Sequence, residues 1–160
     1  MNDMEATVVK SQYEIERGKP MPSLNHAIVQ QNLIFQLMSN HRNQYSILPE
    51  LNVTVSKKDR VPDIAIYPVV EFVPEEDTVH MKEAPLGVIE ILSPTQDLTE
   101  LIQKSAEYFK KGVKSYWLVL PSLRSIYVFS EPGEYRNFTY RDILTDEPLG
   151  IELDLKEIFR

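Results

Sequence analysis

The 160 residues suffice for one domain with a core burying about two-thirds of its unfolded surface, and 42% hydrophobic with 26% charged residues excludes the disordered and fibrous classes. The lack of cysteine excludes disulfides and thiolate metal sites, and no apolar run nears the ~20 residues of a membrane span. A net charge of -7 excludes a generic nucleic-acid-coating protein, though not an enzyme with acids in its cleft and lysines at its rim. Asp3 and Glu5 make the N-terminus a poor export signal, so the cytoplasm is the default location and no membrane partner is expected.

Residues 1–22 read as a peripheral N-terminal segment, with a short helix over Gln12 to Arg17 ended by the breaker-rich run Gly18-Lys19-Pro20-Met21-Pro22. Ser23 or Asn25 can cap a longer helix. Its apolar positions Ala27, Ile28, Ile34, Phe35, Leu37 and Met38 recur at helical spacing, up to a polar exit at Asn40-His41-Arg42-Asn43. His26 and His41 lie near its two ends, too far apart to share a ligand, and read as solvent-facing or capping residues. Tyr45 to Val55 alternates as a strand broken at Pro49. After the basic turn Ser56-Lys57-Lys58-Asp59-Arg60, the strand Asp63 to Tyr67 completes a hairpin.

Pro68 to Ala84 is an acidic, proline-bearing connection, and Leu86 to Leu92 is an apolar strand. Thr95 or Asp97 then caps the best amphipathic helix in the chain. Leu98, Leu101, Ile102, Ala106 and Phe109 form its apolar face, Lys104 and Tyr108 stand at the shoulder, and Gly112 is a left-handed cap. Lys114 to Leu120 and Ser125 to Ser130 are further strands, Tyr135 to Tyr140 an edge strand, and the apolar residues from Leu149 to Phe159 dock a short strand and a helical turn. This order predicts a single α/β or α+β domain over residues 1–160, a sheet flanked by helices.

The chemistry concentrates in two strands. Glu90 is enclosed by Val88, Ile89, Ile91 and Leu92, where an unpaired charge costs on the order of several kcal/mol. A basic partner, a raised pKa or a divalent cation shared with a second acid would each compensate it, and Asp63 is the obvious second acid. Asp63 can also simply begin a strand, Lys104 can pair with Glu100 at i,i+4 spacing, Tyr108 can fill core space, and Tyr116 and Trp117 read as core.

Pro62-Asp63, Glu90-Ile91-Leu92, Lys104-x-x-x-Tyr108-x-x-x-Gly112-Val113 and Tyr116-Trp117-Leu118-Val119, in that order and spacing, resemble the Uma-two family, read as endonucleases of the PD-(D/E)xK superfamily. The resemblance runs from the helix after Pro22 to the strand ending near Ser130. It implies a restriction-endonuclease-like core, a mixed central sheet flanked by helices, with acids of adjacent strands holding Mg2+ and Mn2+ as a substitute. Asp63 would match the acid of the PD half-motif and Glu90 the first acid of the other half. Leu92 stands where the motif lysine belongs, and the resemblance assigns that role to Lys104 on the following helix. Glu50 fits a further metal-binding acid, and Tyr108 would hold the lysine or touch the substrate backbone. Lys57, Lys58 and Arg60 on one side, and Lys110, Lys111 and Lys114 on the other, would meet phosphates.

Carboxylates suit this chemistry because a hard cation prefers oxygen ligands, activates a bound water and polarises the phosphate, while a lysine stabilises the charge building on the phosphoryl oxygens. The implied function is a metal-dependent endonuclease acting on DNA, with a homodimer as a way of cutting both strands. The alternative is a non-catalytic nucleic-acid or protein interaction module, favoured by Leu92 and the acidic net charge and disfavoured by retention of both acids. A small-molecule phosphohydrolase ranks last, for want of a histidine cluster or a glycine-rich phosphate loop.

Overall fold

The computed structural model describes residues 9–160, so the first eight residues of the segment 1–22 lie outside the described residues. In chain order the elements are α1 (Gln12–Arg17), α2 (Leu24–His41), β1 (Tyr45–Pro49), β2 (Val53–Val55), β3 (Lys58–Arg60), β4 (Ile64–Pro68), β5 (Gly87–Ile91), α3 (Leu98–Lys111), β6 (Ser115–Leu120), β7 (Ser125–Glu131), β8 (Glu134–Thr139), β9 (Ile143–Asp146) and β10 (Ile151–Asp154). Ser23 caps α2 by accepting from the His26 N–H, and Asp97 caps α3 by accepting from Thr99 N–H. Gly112, at φ 116°, ends α3 in the left-handed conformation that favours glycine. None of the described helices is long and apolar enough to cross a membrane.

Six strands form one sheet in the order β1-β4-β5-β6-β7-β8, antiparallel except for the parallel pair β5 and β6. Parallel neighbours need a crossover, and α3 supplies it. The alternation of side chains along β5 then divides the core. Ile89 and Ile91 face α2, in a cluster with Leu33, Leu37, Ile64, Ile66 and Trp117. Val88 faces α3 with Leu101, Tyr108, Tyr116 and Leu118, and Glu90 shares its parity. The sheet is thus a mixed one flanked by helices, as the sequence predicts, and Tyr116 and Trp117 are core residues with no exposed surface.

Several local expectations are corrected. The break foreseen at Pro49 is there, with β1 stopping at it and Glu50 turning at φ 54°, but the residues beyond form β2, which pairs with β3 inside the polar connection and does not extend the hairpin with β4. The helical faces are rotated too. The inward residues of α2 are His26, Val29, Leu33 and Leu37, while Phe35 is 65% exposed. Those of α3 are Leu101, Lys104, Ser105 and Tyr108, while Leu98 and Ile102 are 39% and 43% exposed. The physical reason is shared: each helix passes the polar corner of the sheet, α2 with its first turn and α3 near its middle, so its buried stripe carries charged and hydroxyl groups that apolar periodicity alone does not register. β9 is an addition. It pairs with β10 and packs Leu144 into the core.

Asp146 at the end of β9 is a buried acid with a structural task. It accepts from Ser115 Oγ at 2.9 Å, Trp117 Nε1 at 2.7 Å and the Leu149 N–H at 3.1 Å, so one carboxylate ties the β9 turn to β6. Asp146→Ala strands three donors in the core and is expected to lower the unfolding free energy by about 2–4 kcal/mol in urea titration. A loss below ~0.5 kcal/mol would mean that water replaces the carboxylate at no cost.

Candidate metal and nucleic-acid site

Three acids come side by side because three neighbouring strands end together. The β1–β4 register reaches Pro49↔Ile64, so Glu50 and Asp63 follow as the next pair, and the Glu50 N–H donates to the Asp63 carbonyl at 3.3 Å. The β4–β5 register begins at Ile64↔Ile89, which sets Asp63 beside Glu90. Glu90 shares the parity of Val88 and so lies on the α3 side, while Asp63, just ahead of β4 at the sheet corner, is near enough for its charge to act on Glu90.

Asp63 is 1% exposed and thoroughly bonded. Its Oδ2 accepts from the Ile91 N–H at 2.7 Å, and its Oδ1 meets Lys19 Nζ at 2.7 Å and His26 Nε2 at 3.1 Å. Burial pushes its carboxyl up, but the His26 hydrogen bond and the Lys19 charge outweigh that and hold it below the usual carboxylate range. Lys19 Nζ also reaches Glu50 Oε2 at 3.0 Å. Gln30 on α2 braces the pair, donating to the Asp63 carbonyl at 2.9 Å and to Glu50 Oε1 at 3.3 Å.

Glu90 is the contrast. It is 3% exposed, yet among the described residues no hydrogen-bond donor reaches its carboxylate. Burial first, and then the neighbouring Asp63 charge, push its carboxyl up to about 8, against the opposing pull of Lys19 and Lys104. Two of the compensations open to a buried acid, a raised pKa and nearby basic groups, are therefore both in use.

Lys104 and Tyr108, one helical turn apart on α3, close the corner. With Lys19, Glu90 and Arg60 they line a cavity of about 30 Å³. The Lys104 ammonium is 3.7 Å from Glu100, and the Tyr108 hydroxyl is buried without a partner among the described residues. The predicted phosphate contacts separate into two groups. Lys57 and Lys58 line an open groove of about 520 Å³ with Lys110 and Lys111, whereas Arg60 is held by Glu107, with Nε at 3.1 Å and Nη2 at 3.0 Å. Leu92 is half-buried and brings no cation to the acids.

Two members of the site are new. His26, expected to face solvent or cap its helix, is 4% exposed and lies against Asp63. Its place on the stripe 26, 29, 33, 37 was the available signal. Lys19 belongs to the segment read as peripheral, and no periodicity marks it. Among the described residues no three acidic or histidine side chains close round one point as a ready metal cage; the Lys19 ammonium lies between two of the acids.

The comparisons with known proteins bear on the fold and the family. No curated protein matches the chain. A crystal structure described as a "putative nuclease belonging to DUF820" from Anabaena variabilis ATCC 29413 is similar with a TM-score of 0.76 and 24% identity, covering 88% of this chain and 83% of that one. That likeness carries the nuclease-like fold. Residues 10–156 match the model of the family Uma2, described as "Putative restriction endonuclease", whose general class is a nuclease, a hydrolase acting on nucleic acid. By a match over nearly its whole length, the chain belongs to the Uma2 family.

Proposed function

We propose that this chain is a metal-dependent endonuclease that hydrolyses phosphodiester bonds in DNA at the row Glu50, Asp63 and Glu90, with Mg2+ as the cation and Mn2+ as its substitute. The observation that carries the reading is the row itself: three acids of adjacent strands at one sheet corner, one of them buried with no hydrogen bond to its carboxylate among the described residues. The donor set fits a hard divalent ion, since all three side chains offer carboxylate oxygens and Glu90 has lone pairs to give. Asp63 and Glu90 would hold the ion directly, with Glu50 completing the set. When bound, such an ion polarises the scissile phosphate and lowers the pKa of an attacking water.

The chain's own groups do the rest. The Ile91 N–H and His26 fix the rotamer of Asp63, and Gln30 fixes Glu50. The Lys104 ammonium, on the Glu90 side of the cavity, stabilises charge on the phosphoryl oxygens, and the unpartnered Tyr108 hydroxyl can donate to a phosphate oxygen. Lys57, Lys58, Lys110 and Lys111 would hold the flanking backbone by charge. A homodimer would bring two such sites to the two strands of a duplex.

The direct test is nicking of supercoiled plasmid in Mg2+ or Mn2+. Activity lost in EDTA, restored by metal and reduced by roughly 10²–10³-fold in Lys104→Met supports the proposal; a purified protein that binds no divalent ion ends it. The paired variant Lys57→Ala, Lys58→Ala is expected to weaken DNA binding without sequence preference and to flatten the slope of log affinity against log salt by about 1–2. An unchanged slope would remove the groove from the path of the substrate. One observation favours the second reading, a non-catalytic interaction module: Lys19 already pairs with both Glu50 and Asp63 without a metal. DNA binding that persists unchanged in EDTA, with no cleavage in any metal, would select it.

A further inference from the structure

The segment that carries Lys19 sends no apolar anchor into the core. From Val9 to Asn25 no described residue is buried; α1 has six residues, and Ile15 on it is 65% exposed. Gly18 at φ 69° turns the chain out of α1, and Pro20 and Pro22 stiffen the residues beyond it, so Lys19 is delivered at the tip of a short, rigid bend. Its side chain is 9% exposed, against the exposed surroundings of its own segment. The ammonium bridges Glu50 Oε2 at 3.0 Å and Asp63 Oδ1 at 2.7 Å, which are two of the oxygens a metal ion would use. An acid cluster on its own says little about a ligand. Here the Lys19 side chain also lines, together with Glu90, the adjoining cavity that holds Tyr108, 1% exposed, whose hydroxyl has no partner among the described residues.

We propose that Lys19 is a built-in cation plug: its ammonium stands in the place of the divalent ion and has to withdraw, with the α1–Gly18 segment, before the ion can bind. The inference rests on the metal-site reading above and adds a gate to it. An ammonium already seated on these carboxylate oxygens repels a divalent ion at contact distance in a partly buried site, so the two compete for the same place. The segment therefore has two states. In one it is closed over the acids through Lys19. In the other it is released and the acids are open to the ion; no fully buried apolar side chain of the described segment has to leave the core, and the Lys19 ion pairs are among the contacts that hold it closed.

The test uses the full-length chain, without nucleic acid, and reads Mn2+ binding by the electron paramagnetic resonance of the free ion. Lys19→Met, which keeps the side-chain stem and removes the charge, is expected to bind Mn2+ at least about tenfold more tightly than wild type, a ~1.4 kcal/mol gain. In wild type, saturating Mn2+ is expected to speed hydrogen exchange at Gly18 and Ile15, whose amides donate to the Glu14 and Ser11 carbonyls in the closed segment. Equal affinity in the two proteins overturns the plug while leaving the metal site standing. Tighter binding with unchanged exchange overturns the withdrawal, since Lys19 would then be staying beside the ion. If neither protein binds Mn2+, the metal site and the plug fall together. The exchange measurement needs no variant, and Lys19→Gln repeats the affinity comparison should Lys19→Met not fold.

Discussion

Asp63→Asn is expected to abolish metal-dependent strand cleavage, by roughly 10³-fold or more, while the fold survives. The choice of asparagine follows from the bonds that Asp63 makes. Its Oδ2 satisfies the buried Ile91 N–H, and its Oδ1 faces Lys19 and His26, so alanine would leave an amide, an ammonium and an imidazole facing a void. Breaking a buried pair from one side costs about 3–5 kcal/mol, enough to confuse a lost ligand with a lost fold. The asparagine oxygen still accepts from Ile91, whereas the neutral amide no longer attracts a cation. Plasmid nicking, Mn2+ binding and thermal melting on the same preparation separate the two effects. A folded Asp63→Asn protein that nicks at the wild-type rate would refute the assignment of Asp63.

Glu90→Gln is expected to do the opposite to stability while sharing the loss of activity. Burial and the Asp63 charge push the Glu90 carboxyl up to about 8, far above its value in the unfolded chain. Between the ordinary carboxylate pKa and about 8 the folded state holds a proton that the unfolded state has released, so stability falls as pH rises through that window, by at most about 1.4 kcal/mol per unit, and levels off above it. Asp63 acts at the acid end. Its lowered pKa lends stability that is present at neutral pH and lost as pH falls below the usual carboxylate range. The metal-free protein should accordingly be most stable in mildly acidic solution. Glutamine cannot ionise, so Glu90→Gln should gain a few kcal/mol at pH 8–9 relative to wild type and lose the slope above pH 5, in urea titrations run in EDTA. A wild-type stability that is flat from pH 5 to 8 would contradict the environment described for Glu90.

The opposite responses of two neighbouring acids have one cause. Asp63 sits at the start of its strand, where a backbone N–H, a lysine and a histidine converge on it. Glu90 lies one strand further in, beyond the reach of those donors, and depends on the charges of Lys19 and Lys104 at longer range. A division of this kind, one acid kept ionised and its neighbour pushed towards the neutral form, is common at catalytic carboxylate pairs.

Much of the architecture was legible in local signals. Ser23, Asp97 and Gly112 bound their helices because capping is a contact within a few residues. The strand Gly87–Ile91 is covered on both faces, as its unbroken apolar run implied, and Glu90 stood out because nothing in that run could solvate it. The side-by-side placement of Glu50, Asp63 and Glu90 rests on strand register, which the sequence constrains only through its hydrophobic alternation. The pairing of Asp63 with Glu90 was suggested by the need to compensate a buried charge and by the family resemblance, not by alternation, and Glu50 only by the resemblance, since its turn at φ 54° lies outside any regular pattern.

Lys19, His26 and the direction of the α3 face belonged to the tertiary structure alone. Lys19 is 44 residues from Asp63, in a stretch without periodicity, and only the docking of its segment reveals the pairing. His26 lies on the inward stripe of α2, but its partner comes from the start of β4 on the sheet beneath. Lys104 turns inwards, where its charge acts on Glu90, and Ser105 beside it satisfies its hydroxyl on the Ile102 carbonyl of its own helix, while the more apolar Leu98 and Ile102 stay partly exposed. The separation is physical: caps, turns and strand burial arise from neighbours along the chain, while the balance of charge in a buried corner depends on every group that folding brings there.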